Sequence, residues 1–259
     1  MNQPRLTKPY YRNGPSHRDG ADVSFSDIRK MFNFPSIQIG KWVTKQEQQI
    51  AANLFFDALC DLCDILKVNT EVISLRGTLH LAFGVGGNKN SSAHYDVSRH
   101  RLSLAKNAGG GALAHEWFHA FDHYIYSRMF LPSQGFSFAS EAWLHNQNVN
   151  SHPLNQLLSK SFEALFLNDD GEDINQFVDA SVRADKAMKM HYFALPQEMA
   201  ARAFEACIQD HWLKNAFLVQ GTKQTTEAKV GLYPNGTHLK RVSSALFAYF
   251  NALGSVMEK

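Results

Sequence analysis

Residues 112–125 read Ala112-Leu113-Ala114-His115-Glu116-Trp117-Phe118-His119-Ala120-Phe121-Asp122-His123-Tyr124-Ile125. Two histidines four residues apart bracket a glutamate. The surrounding Leu113, Trp117, Phe118, Phe121 and Ile125 recur at helical spacing, so the segment reads as a helix running to about Arg128. Four residues of helix turn about 400° and rise about 6 Å, which stacks His115 and His119 on one face. Imidazoles so placed can both reach one Zn²⁺ at about 2.0–2.1 Å. Glu116 lies about 100° round from His115. From there it can accept a proton from metal-activated water without being a ligand itself. The chain has 12 His and 10 Glu among 259 residues. At that composition the pattern arises by chance roughly 0.02 times per chain.

Such a site needs a further protein ligand. A third His six residues after His119 is excluded, because position 125 is Ile. No downstream Gly-Thr-x-x-Asp occurs either, which leaves a Glu from a later helix. The best candidate is Glu198, in the first turn of a helix opened by Pro196, where an acid also suits the helix dipole. Ala200, Ala201 and Ala203 permit close helix packing there. Glu205, two turns on, is the main competitor, and Glu163 is a weaker one. Asp122 shares the histidine face and is placed to orient a ligand. His123 drifts too far round the helix. Tyr192 is placed to donate its hydroxyl to a developing oxyanion. His94 and Tyr95 are substrate-contact candidates from the strand region.

The elements around this helix predict an α+β fold. A capping box at Thr44 and Glu47 opens a helix to about Lys67. Residues 71–106 read as β, with strands at Thr78–Phe83, His94–Val97 and Arg101–Ala105, and a hairpin turn at Gly84, Gly86, Gly87, Asn88 and Asn90. The Gly-Val-Gly-Gly run lacks the strand–helix context of a phosphate-binding loop. Gly109–Gly111 leads into the His helix. Residues 131–152 read as a loop. Helices follow at Leu154–Leu167, Ile174–Met190, Pro196 to about Leu218, and Leu239–Val256. Residues 1–22, with Pro4, Pro9 and Pro15, read as a solvated arm or a strap. The expected organisation is an N-terminal arm over 1–40 and a single domain over 41–259. Cys60-x-x-Cys63 falls inside a helix, where redox pairs do not sit, and no second pair completes a zinc site.

Hydrophobic residues make up 44% and charged residues 19%, with a net charge of +2. That balance argues against a dedicated nucleic-acid-binding surface. No apolar run is long enough to span a membrane, and the polar N-terminus is no secretory signal. Three cysteines suggest a reducing compartment, so a cytoplasmic location is expected.

The series Leu79–Phe83, Ser92-Ala93-His94-Tyr95, Leu102-Ser103-Leu104 and the glycine-led His115–His119 segment resembles zincin-like metallopeptidase domains. These are the large polyvalent protein-associated domains of phages and conjugative elements, with a similar stand-alone group labelled CLCA_X. The segment Pro196–Glu205 resembles the second block of that family. It is also similar to the third-ligand block of the anthrax lethal factor type of zincin. The resemblance covers about residues 70–128 and 190–255. It implies a zincin-like fold, with a small twisted sheet over the active-site helix and a helical C-terminal half. It also implies Zn²⁺ held by His115, His119 and Glu198, Glu116 as general base, and Tyr192 near a tyrosine that assists catalysis. The activity implied is hydrolysis of peptide bonds in a protein or peptide substrate. The rival readings are a zinc-bearing, non-hydrolytic binding module of mobile-element conflict, and a metal-dependent hydrolase or deaminase of small molecules. A deaminase wants a Pro-Cys-x-x-Cys after its His motif, and Cys60 and Cys63 precede it.

Overall fold

The computed structural model describes residues 6, 9–85, 93–106, 111–131 and 135–257. It is a mixed α+β chain with a four-stranded sheet. Backbone contacts divide it into two compact units. The first comprises residues 1–120 and 211–220, and the second comprises 121–210 and 221–257.

In the first unit, α1 (Phe25–Phe32) is opened by a Ser24–Asp27 capping box, and β1 (Ile37–Ile39) follows it. This corrects the reading of residues 1–40 as an extended arm. The stretch from Phe25 onward folds because Ile28, Phe32 and Phe34 are buried. Helix α2 (Lys45–Leu66) carries the expected Thr44–Glu47 capping box. A short α3 (Thr70–Ile73) replaces the start of the expected β region, because the Asn69 side chain accepts from the Val72 amide and caps a helical turn.

Strands β2 (His80–Phe83), β3 (Ala93–Asp96) and β4 (Arg101–Leu104) complete a sheet in the order β1-β2-β4-β3. β2 runs parallel to both β1 and β4, and β3 is an antiparallel edge. The expected β2–β3 hairpin is therefore absent, since β4 lies between those strands. The glycines proposed for its turn, Gly86 and Gly87, fall outside the described residues, as do Gly109, Gly110, Pro4 and Pro132. Leu81, Ala82 and Phe83 are all buried, so β2 is covered on both faces and does not alternate. Phe55 of α2 is the hub of the core, with rings of Phe25, Phe83 and Phe217 at 5.7, 5.9 and 5.3 Å.

Residues 9–22 form a fastened strap. Arg12 bridges to Asn215, the Ala216 amide donates to the Tyr11 carbonyl at 2.8 Å, and Arg18 pairs with Asp57 at 3.0 Å. The helix expected to run from Pro196 to Leu218 stops at Asp210, and residues 211–220 belong to the first unit. Asn215 holds the segment beyond the break in place. Its side-chain Oδ1 accepts from the Phe217 and Leu218 amides, while its side-chain amide donates to buried Asp61.

Helix α4 (Leu113–Met129) begins in the first unit and its chain continues into the second. The second unit is otherwise helical: α5 (Ala139–Leu144), α6 (Pro153–Phe166), α7 (Gln176–Met188), α8 (Pro196–Asp210), α9 (Thr226–Lys229) and α10 (Gly236–Met257). α10 packs along α6 and α8, and α8 also meets α5 and α6. The segment read as a loop over 131–152 thus contains α5, whose Ala139, Ser140 and Ala142 are buried. No helix among the described residues is long and apolar enough to cross a membrane.

Candidate metal centre

Helix α4 starts where the backbone is already held. The Gly111 amide donates to the Phe217 carbonyl at 2.8 Å, and the Ala114 amide to the Leu218 carbonyl at 3.0 Å. Gly111 has φ +107°, and a Cβ there would stand 2.4 Å from the Gln220 Cγ, so glycine is required. One turn in, fully buried Trp117 donates its indole N–H to the Ile73 carbonyl at 2.9 Å. That bond fixes the rotation of the helix about its axis. The opposite face then presents His115 and His119.

The Nε2 atoms of His115 and His119 lie 3.1 Å apart, with the rings tilted by 77°. Ligand atoms around a tetrahedral zinc with bonds of about 2.1 Å sit about 3.4 Å apart, so the pair has the spacing of one tetrahedral edge. His119 is 7% exposed and Glu116 9%, so both side chains are largely withdrawn from bulk water. His115 and His119 offer two imidazole nitrogens from the first unit, and Glu198, in the first turn of α8, belongs to the second. The donor set is two imidazoles and one carboxylate, which suits zinc with an open position.

The competitors for the carboxylate fall elsewhere. Glu205 is buried and lies 3.5 Å from the Tyr233 hydroxyl. Glu163 is exposed on α6. Asp122 accepts from the Ser140 amide at 2.8 Å and from its hydroxyl at 2.5 Å, which ties α4 to the start of α5. His123 is half-buried, and its ring meets Phe138 at 5.8 Å. His94 and Tyr95 lie on the edge strand β3, with His94 exposed. Tyr192 stands in the turn before α8 and is 40% exposed. Cys60 and Cys63 are free thiols; burial pushes Cys60 up to about 12 and Cys63 higher still, so neither has thiolate character.

A second group of potential ligands, His17, Asp61 and Asp64, has a different explanation. Asp61 is fully buried, and each of its oxygens already accepts twice. Oδ1 takes Arg12 Nη2 at 2.7 Å and His17 Nε2 at 2.8 Å; Oδ2 takes Arg12 Nε at 2.6 Å and Asn215 Nδ2 at 2.8 Å. The carboxylate has no lone pair left for a cation, and the group is the knot that fastens the strap. Sequence reasoning missed it, because an Asp on the polar side of a helical pattern looks solvated until its partners, 49 and 154 residues away, are known.

Residues 184–257 match the family model described as large polyvalent protein-associated domain 1. This part of the chain holds the end of α7, all of α8 and α10, and Glu198, so it carries the second block of the resemblance drawn from sequence. The match supports that family name. It does not reach the His115–His119 segment, so it carries no information on peptidase activity. No curated protein and no solved structure matches the chain.

Proposed function

We propose that this chain is a zinc-dependent peptidase of zincin type, with His115, His119 and Glu198 as the metal ligands and Glu116 as the general base. The observation that carries the reading is the 3.1 Å spacing of the His115 and His119 Nε2 atoms on α4, with Glu116 beside His115 on the same helix. A bound Zn²⁺ would supply Lewis acidity and a water of lowered pKa. Glu116 takes the proton from the attacking water and later delivers it to the leaving amine. Its low exposure keeps competing bulk water from that carboxylate. Tyr192 donates its hydroxyl to the oxygen that gains charge, and its exposure leaves it within reach of a substrate. The substrate is a protein or peptide, and three cysteines without a disulfide, Cys60, Cys63 and Cys207, suit a reducing, cytoplasmic setting.

Metal content and digestion of a peptide library test this together. The purified parent is expected to hold one zinc per chain and to cleave. Glu116→Gln should keep the zinc and lose cleavage by at least about a hundredfold, because glutamine keeps the shape but cannot accept the proton. His115→Ala or His119→Ala should abolish stoichiometric zinc. Unchanged zinc in either histidine variant ends the metal reading. A zinc-bearing parent that cleaves nothing ends the peptidase reading and leaves the non-hydrolytic binding module.

A further inference from the structure

The turn joining α7 to α8 is held by two buried charges that are not spent on each other. Asp185, in the last turn of α7, is 7% exposed. Its Oδ2 accepts from the Tyr192 and Ala194 amides at 3.1 and 2.9 Å, and its Oδ1 accepts from the Phe193 amide at 2.9 Å. One carboxylate thus collects three successive peptide N–H groups. From the other side Arg202, on α8 and 4% exposed, donates from Nη2 to the Phe193 carbonyl and to the Ser181 hydroxyl, the latter at 3.1 Å. The guanidinium lies between the rings of Phe193 and Phe177, at 5.3 and 5.7 Å from their centroids.

Ending α7 requires none of this. Lys189 already takes the left-handed cap conformation, and the Met190 amide returns to the Asp185 carbonyl. As a source of stability the arrangement is poor. Buried charges are costly to desolvate, and Arg202 Nε and Nη1 have no acceptor among the described residues. What the two charges do achieve is a fixed path for the main chain from Tyr192 to Leu195. The Leu195 amide then bonds the Tyr192 carbonyl, and the Met199 amide bonds the Leu195 carbonyl, which carries that fixed path into the first turn of α8. Tyr192 and Glu198 are the two side chains at either end of this path.

We propose that Asp185 and Arg202 are positioning residues that clamp the turn before α8 and so set where Glu198 and Tyr192 stand. The proposal rests on the peptidase reading above, because those two residues matter only as ligand and hydroxyl donor. Groups that orient a ligand from behind typically alter metal affinity 10–100-fold.

The test is zinc affinity by competition with a chromophoric chelator, measured on the full chain for the parent, Asp185→Asn and Arg202→Lys. Amide exchange at Tyr192, Phe193 and Ala194 is followed in parallel. Asp185→Asn is expected to bind zinc about tenfold or more weakly. Its three amides should exchange faster, and kcat should fall while KM holds. Arg202→Lys keeps the charge but loses the planar fork, so its affinity should fall as well, by less. A role in stability alone would lower the melting midpoint of the metal-free protein and leave zinc affinity at the parent's value. A folded Asp185→Asn or Arg202→Lys with the parent's zinc affinity overturns the clamp. Loss of fold in both variants also overturns it, in favour of a stability role. A zinc-free parent overturns the peptidase reading with it, whereas a zinc-bearing parent with indifferent variants overturns the clamp alone.

Discussion

Asp185 also makes a statement about pH. Burial pushes its carboxyl up, but the Ala194, Phe193 and Tyr192 amides together outweigh that, and its pKa falls below the ordinary value of 3.8. A carboxyl depressed by folding stabilises the fold fully above its unfolded pKa, and that contribution is lost as pH falls through the folded value. Urea midpoints of the parent and Asp185→Asn, followed from about pH 7 to about pH 3, should therefore stay a constant distance apart down to about pH 4 and converge below it. A gap that persists to the acid end would mean the amides are not held by the charge. The contacts of Asp185 were not visible beforehand. Asp185 lies in Arg183-Ala184-Asp185-Lys186, which reads as a solvated helix face, and its partners are main-chain groups that no side-chain pattern marks. The placement of His115, Glu116 and His119 on one helix was legible because their spacing and the apolar residues around them follow the helical period.

At the scale of the element, the start of α4 depends on Gly111. Its positive φ and the closeness of Gln220 exclude a side chain. Gly111→Ala should destabilise the chain by about 1–3 kcal/mol, the usual cost of forcing a non-glycine residue into such a conformation. A guanidinium unfolding curve checks this, and an unchanged midpoint would show that α4 does not need this entry. Helices announced themselves well by period and caps: Thr44 with Glu47 places the start of α2 to the residue. The sheet was harder. Short apolar strands carry a period but no partner, so the insertion of β4 between β2 and β3 could not be read from Leu79–Phe83. The short α3 and α5 were missed for a related reason. One or two turns of helix show too little periodicity to stand out from loop.

For the whole molecule, the first unit is discontinuous. Residues 211–220 supply it with Asn215, which bonds Asp61, and with Phe217, Leu218 and Val219, which are buried. A fragment ending at Ala120 lacks the backbone partners of Gly111 and Ala114 and one ring beside Phe55. It should show no cooperative thermal transition by circular dichroism. A sharp melt of that fragment would show that residues 211–220 are an accessory. The sequence hid this arrangement, because residues 196–218 keep a helical composition past the point where Asn215 turns the chain.

That discontinuity bears on the order in which the protein comes into being on a ribosome. Amino-terminal domains ordinarily fold as they emerge, at synthesis rates of about 5–20 residues per second. Here residues 1–120 have to wait for a segment that begins 91 positions after Ala120. At those rates the wait is about 5–18 seconds. Through that interval the strap residues have no Asn215 to meet, and the rings gathered at Phe55 are short of Phe217. The packing of the first unit can therefore be completed only after residues 211–220 have been translated.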